Sequence, residues 1–177
     1  MLERIRRSGD RVVLTLYPAE IEVLRDLAGQ LESLFDGGVP ERGGDPTRDR
    51  LFPRAYLDPT EDEAETEWQV AVHEDLVRQK SAAVGALVDS LDDGTAGRKG
   101  TMELALPLDV VDQWVGALND VRLALGVVLE VTEDEIQLKR GDPRAPGLEL
   151  YGWLTWLQGA LVEELIGGFD EESTEDV

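Results

Sequence analysis

Trp114 to Glu135 reads WVGALNDVRLALGVVLEVTEDE, the longest apolar segment of the chain, and its reading decides the fold. On a helix, Trp114, Ala117, Leu118, Val121, Ala124, Leu125, Val128 and Leu129 form one wide apolar face, while Leu123 and Val127 add apolar surface opposite. A helix apolar on more than one side has neighbours on more than one side, so the segment predicts a buried central helix. Asn119, Arg122 and Gly126 fall together on one flank at i, i+3 and i+7, combining a polar donor and acceptor, a fixed cation and a notch without a side chain. That flank is the candidate site, with Asp120 near it and Tyr151 or Trp153 of the last helix as a wall. Asp120 and Arg122 point roughly 200° apart and cannot pair on their own helix. Each therefore needs a partner elsewhere or must reach solvent. If Arg122 sits in a buried ion pair, its role is to fix how two helices meet, and its loss would cost about 3 to 5 kcal/mol. Otherwise it is free to recognise an anionic ligand or partner.

Toward the C-terminus, Thr132 with Glu135 forms a T-x-x-E capping signal for a short helical turn, which Gly141-Asp142-Pro143 ends. The last helix is expected from about Leu148 to Ile166. Leu150, Leu154, Leu157, Leu161 and Leu165 lie on one side of it and Trp153, Trp156 and Ala160 on another, so it too should be contacted from two sides. Asp170 to Val177 carries five acids and reads as a disordered tail.

Toward the N-terminus, Met102 to Leu106 reads as a short extended piece and about 92–101 as a polar loop. Asp58-Pro59-Thr60-Glu61 resembles a capping box opening a long helix to about Leu91, whose buried side is marked by Trp68, Val72, Leu76, Ala83, Leu87 and Leu91. Leu51-Phe52-Pro53, with Tyr56 and Leu57, reads as an extended anchor. The segment at about 36–50, DGGVPERGGDPTRDR, has four glycines, two prolines and one apolar residue and reads as a mobile loop. Pro18 to Phe35 is expected to be a helix whose seam of Ile21, Leu24, Ala28, Leu31 and Phe35 packs in the core or against a second copy in a homodimer. Leu2 to Ile5 and Arg11 to Leu16 flank Ser8-Gly9-Asp10 as a hairpin. Its arginines, Arg4, Arg6, Arg7 and Arg11, are expected to offset the protein's own carboxylates. The fold class is thus mainly α: a single-domain helical bundle over residues 1–169 with an N-terminal β-hairpin, followed by the acidic tail at 170–177.

Composition limits the function. Within 177 residues there is no cysteine, which excludes a thiol switch, a thiolate metal site and a cysteine nucleophile. With 17 Lys and Arg against 38 Asp and Glu the formal charge is −21, so any contact with DNA is expected to be weak or indirect. A basic protein partner suits that charge better. No stretch suggests a membrane span or a signal peptide, which predicts a cytoplasmic protein.

Enzyme motifs fail on inspection. His73-Glu74-Asp75-Leu76-Val77 begins like H-E-x-x-H, but Val77 stands where the second imidazole is required, and His73 is the chain's only histidine. It reads as a partly exposed helix residue. In GTAGRKGT, Gly94 to Thr101, Lys99 occupies the place of the second glycine of a phosphate loop, and the segment follows a helix rather than a strand. Neither a G-x-S-x-G elbow nor a G-x-G-x-x-G fingerprint is present. Glu61 with Glu65, and Glu63 with Glu67, could share Mg²⁺, but acids in the first turns of a helix are explained by its dipole and by solvation. The expectation is no catalytic residue, no metal and no cofactor.

Four stretches, LTLYPAEIEVLRDL, LFPRAYLDP, WVGALNDVRLALGVVLEVTEDE and YGWLTWLQGALVEEL, resemble an actinobacterial uncharacterised-domain family that includes the AosR-type oxidative-stress transcription regulators. The resemblance covers most of the chain outside the two glycine-rich loops and the tail. It implies a cytoplasmic regulator that acts with an alternative sigma factor, with no active site attributed to it. Regulators of this type are expected to sense oxidant through a cysteine pair; in this cysteine-free chain the signal has to arrive through a partner or ligand. The leading expectation is a non-enzymatic regulator working through protein contacts with a sigma factor or the transcription machinery. The alternatives are a small-molecule or metal-binding protein, or weak enzyme, using the Asn119 and Arg122 flank, and an adaptor in regulated proteolysis.

Overall fold

A computed structural model describes residues 4–41, 43–132 and 141–171, with side chains to residue 167. The chain is mainly helical with an N-terminal hairpin. In order it forms β1 (Ile5–Ser8), β2 (Arg11–Leu16), α1 (Pro18–Phe35), α2 (Pro46–Leu51), α3 (Asp62–Asp92), β3 (Thr95–Ala96), β4 (Met102–Pro107), α4 (Leu108–Val128) and α5 (Ala145–Glu171).

The hairpin closes through a two-residue turn, since Ser8 pairs with Arg11, and Gly9 takes the left-handed conformation (φ 63°) that the first turn position demands. The first strand is described from Ile5 to Ser8; residues 2 and 3 of the expected Leu2 to Ile5 lie outside the described residues. Sheet formation does not stop there. β2 pairs antiparallel with β4 in the register Val12 to Leu106 and Leu14 to Leu104, and β3 adds an edge, giving the order β1-β2-β4-β3. Alternation places Val12, Leu14, Leu16, Leu104 and Leu106 on the buried face. Part of the expected 92–101 loop is therefore strand. At Gly97 an added Cβ would lie 2.7 Å from the Thr101 hydroxyl oxygen, so only glycine lets the chain fold back there without displacing Thr101.

Helix α1 follows its pattern closely. Pro18 supplies a helix-ready φ at the first turn, Glu20 accepts the Tyr17 N–H at 2.8 Å, and Ile21, Leu24, Ala28, Leu31 and Phe35 are all buried in the core. The seam is thus used within the chain. Arg4 pairs with Glu20 and lies over the rings of Tyr17 and Trp156, while Arg7 donates to the Glu164 carbonyl and Arg11 to the Ala105 carbonyl. Among the described residues Arg4 offsets a carboxylate as expected, whereas Arg7 and Arg11 are held by backbone carbonyls instead.

The glycine-rich segment departs from its expectation. Asp45 accepts the Thr47 N–H, Pro46 occupies the first helical position, and α2 forms and packs on α4. Arg48 then ties the preceding turns down by donating to the Leu34 and Gly38 carbonyls. Side-chain caps and one arginine order what apolar content alone would not.

Helix α4 is the hub: it touches α1, α2, α3, α5, β2 and β4, and Trp114 at its inner face is fully buried. It ends at Val128, not Glu135, with Glu130 at φ 53° breaking the helix; Val128 itself is 70 % exposed. The restart expected from Thr132 to Glu135 falls largely outside the described residues. In α5, Leu154, Leu157 and Leu161 are fully buried and Trp153 is half-buried, but Trp156 is 45 % exposed, so the second side of this helix is only partly covered. The acidic tail expected from Asp170 begins inside the last turn of α5, and 172–177 are outside the described residues. No helix among the described residues is long and apolar enough to cross a membrane.

Candidate functional site

The polar residues of α4 turn to opposite neighbours. Asp120, 5 % exposed, receives the Lys80 ammonium of α3 at 2.8 and 3.0 Å, and the same ammonium lies 5.9 Å from the centre of the Phe52 ring. Burial raises the Asp120 carboxyl above the usual carboxylate range, and the Lys80 hydrogen bond and charge only partly offset this. This pair is an ion-pair lock between α3 and α4.

Arg122 faces α5 instead. Its Nε–H donates to Thr155 Oγ1 at 3.0 Å, one terminal nitrogen donates to Gln158 Oε1, and the other lies 3.4 Å from the Tyr151 hydroxyl, with the guanidinium 5.2 Å over the Tyr151 ring. Gln158 in turn donates to the Val115 carbonyl at 3.2 Å, and Thr155 to the Tyr151 carbonyl at 2.8 Å, so the acceptors are held in place. Among the described residues no carboxylate pairs with Arg122, so of the two alternatives the buried ion pair is not the one found. Replacing it with alanine is accordingly expected to cost about 1 to 2 kcal/mol, the scale of a half-exposed guanidinium's hydrogen bonds to neutral acceptors and one cation–π contact, not the loss of a buried charge pair. Urea unfolding would check this; a loss above about 3 kcal/mol would restore the ion-pair reading.

Arg122, Gly126 and Tyr151 line one open cleft of about 410 Å³ at the C-terminal end of α4, joined by Arg50 of α2, Leu123, Val127 and Glu130. The structure therefore brings three of the expected site residues together. Asn119 is exposed and outside the cleft, Asp120 is turned away to Lys80, and Trp153 packs on the core with its Nε1–H buried and unpartnered. Gly126 is not required for space, since an added Cβ would meet Tyr151 at an ordinary 3.6 Å.

A second polar arrangement lies on α3. Glu65, Gln69 and His73, one turn apart, are each no more than 5 % exposed, whereas Trp68 and Val72, the expected buried side, are only half-buried. Glu65 accepts the backbone N–H groups of Ala55 and Tyr56 at 2.9 and 2.8 Å and the Gln69 amide at 2.8 Å. Burial alone would raise its carboxyl, but these three donors and the Arg54 charge together hold it below the usual range. Glu65 is thus an internal acceptor that pins the 53–57 segment, not a solvated acid at a helix start. Among the described residues no cluster of three or more acids and imidazoles could hold a metal.

His73 is buried, with its ring 4.8 Å from that of Phe52, which corrects the expectation of partial exposure. Burial first, and the Arg48 charge second, lower its pKa from the ordinary 6.5, against the opposing effects of Glu74 and the Gly38 carbonyl. The folded state thus binds fewer protons than the unfolded chain below pH 6.5. Stability from this group is full above that pH and is lost as pH falls through it toward the lowered folded value. Unfolding midpoints measured from pH 7 to 5 should decline, and His73→Leu should flatten the decline; an unchanged slope in that variant would assign it elsewhere.

The residues missed by pattern reading are Lys80, Thr155, Gln158, Arg50, Gln69 and the buried role of Glu65. One signal was available: 65, 69, 73, 76, 80, 84, 87 and 91 form a continuous helical stripe at spacings of three and four, polar at 65, 69, 73 and 80 and apolar at 76, 84, 87 and 91.

The family described as Domain of unknown function (DUF2017) matches residues 2–165. The chain is 32% identical to proteins named oxidative stress regulator AosR from Mycobacterium bovis and Mycobacterium tuberculosis, over 91% of this chain and 85% of theirs. It is 30% identical to a putative oxidative stress regulator AosR from Mycobacterium leprae, over 90% of this chain and 84% of that protein. No solved structure matches the chain.

Proposed function

We propose, from the premise that this chain belongs to the DUF2017 family, that it is a non-enzymatic regulator of the response to oxidative stress, acting by protein contact on the transcription machinery. The observation that carries the reading is the similarity, across nearly the whole chain, to proteins named oxidative stress regulators. Two features support its form. A chain without cysteine has no thiol to oxidise, so an oxidant signal must reach it through a partner or ligand. A formal charge of −21 disfavours direct phosphate contact and favours docking on a basic surface, such as a sigma factor or polymerase presents to DNA.

The test is affinity purification of the full-length tagged chain from its own host, before and after peroxide treatment. A sigma factor or polymerase subunit should be retained at near-stoichiometric amount, with the amount changing after treatment. Recovery of neither in both conditions would remove the proposed mechanism.

A further inference from the structure

We propose that the cleft at the C-terminal end of α4 binds a small organic oxyanion, a carboxylate or phosphate monoester on an apolar body, held by Arg122 and Arg50. This site is separate from the protein-contact reading, and either can fail without the other.

The argument begins with a mismatch of charge. Acids outnumber bases 38 to 17, so an arginine in this chain has carboxylates in abundance from which to draw a partner. Arg122 instead is held by the Thr155 hydroxyl, the Gln158 amide oxygen and the Tyr151 hydroxyl, all neutral. Neutral acceptors fix the direction of a guanidinium without cancelling its charge. Of its five N–H donors three are engaged, leaving one on each terminal nitrogen. Arg50 reaches the same cleft from α2, exposed and with no hydrogen bond or ion pair among the described residues. Among the described residues the lining holds one carboxylate, Glu130, against the two guanidinium groups. Counted over the described residues, the lining is thus cationic in a strongly anionic protein.

The remaining wall sets the rest of the ligand. Leu123, Val127 and the Tyr151 ring present apolar surface beside the two guanidinium groups. An inorganic anion would leave that surface wet, whereas an oxyanion on an aryl or alkyl body would cover it. A volume of about 410 Å³ is ample for such a molecule. The charge of the rest of the protein opposes the anion at long range, but at physiological salt it is screened beyond about 8 Å, leaving the adjacent arginines to dominate.

The experiment titrates the full-length, isotopically labelled protein with phenyl phosphate, 3-phenylpropionate and inorganic phosphate, following the arginine Nε–H resonances by NMR. The expected result is a saturable shift of the Arg122 resonance with at least one organic probe, and weaker binding of inorganic phosphate. Arg50→Gln should weaken the organic probe by about tenfold or more, as loss of a charge-assisted contact does, while leaving the melting curve unchanged. Arg122→Gln should abolish binding. Should that variant fail to fold, Arg50→Gln carries the test alone, because the Arg50 side chain makes no hydrogen bond or ion pair among the described residues. No saturable shift with either organic probe, or binding indifferent to Arg50→Gln, would overturn the proposal. Inorganic phosphate binding as tightly as phenyl phosphate would overturn the apolar-body part.

Discussion

Lys80→Ala is expected to destabilise the fold by about 3 to 5 kcal/mol, because it strands the Asp120 carboxylate in a buried setting with its cation gone. The Asp120 side chain is only 7% exposed and that of Lys80 19%, so water cannot readily replace the ammonium. Most of the cost belongs to the orphaned carboxylate, so Lys80→Met combined with Asp120→Leu should recover most of the loss. The pH dependence has a definite sign. In the native protein the Asp120 carboxyl is already raised by burial, so the folded state holds its proton to higher pH than the unfolded chain. Stability from this group therefore falls as pH rises through the ordinary carboxylate value toward the raised one. Removing Lys80 raises it further, which makes the penalty smaller in acid and largest at neutral pH. Urea unfolding at pH 5 and 7.5 would measure both effects; a neutral-pH loss below about 1 kcal/mol would mean that solvent reaches the pair.

Trp114→Ala should cost a similar amount, about 3 to 5 kcal/mol, through a different physical effect. The indole is fully buried where α4 meets the rest of the core, and its removal leaves a cavity that packed helices on several sides cannot close. Trp114→Phe should cost much less. It keeps most of the apolar volume and deletes an Nε1–H that is buried without an acceptor among the described residues. Equal losses in the two variants would show that the indole N–H is satisfied after all.

The helices were legible wherever burial and apolar character coincide. In α1 the residues at spacings of three and four are the buried ones, and both ends fall where Pro18 and Phe35 place them. In α3 the two diverge. Glu65, Gln69, His73 and Lys80 occupy the inner stripe because the backbone of 53–57 and the carboxylate of Asp120 await them there, and nothing in α3 alone announces those partners. A periodicity rule that counts only apolar residues rotates the helix toward Trp68 and Val72. The sheet was hidden for a related reason: β4 has a strand-like pattern, but its partner β2 lies three helices earlier. The candidate site was half legible. The Arg122 and Gly126 flank and Tyr151 do meet, but whether Arg122 would find a carboxylate or neutral groups depends on what α5 brings opposite, and Arg50 arrives from a helix that reads as loop.

The pairing of β2 with β4 also bears on how the chain is made. A ribosome delivers β2 early and must then deliver all of α1, α2 and α3 before β4 emerges. Until then the nascent hairpin has an uncovered edge and apolar side chains facing water, the kind of exposure that invites aggregation or chaperone capture. Closing so long a stretch of chain carries an entropic cost before any strand contact repays it, so sheet completion should be the late, slow event of folding.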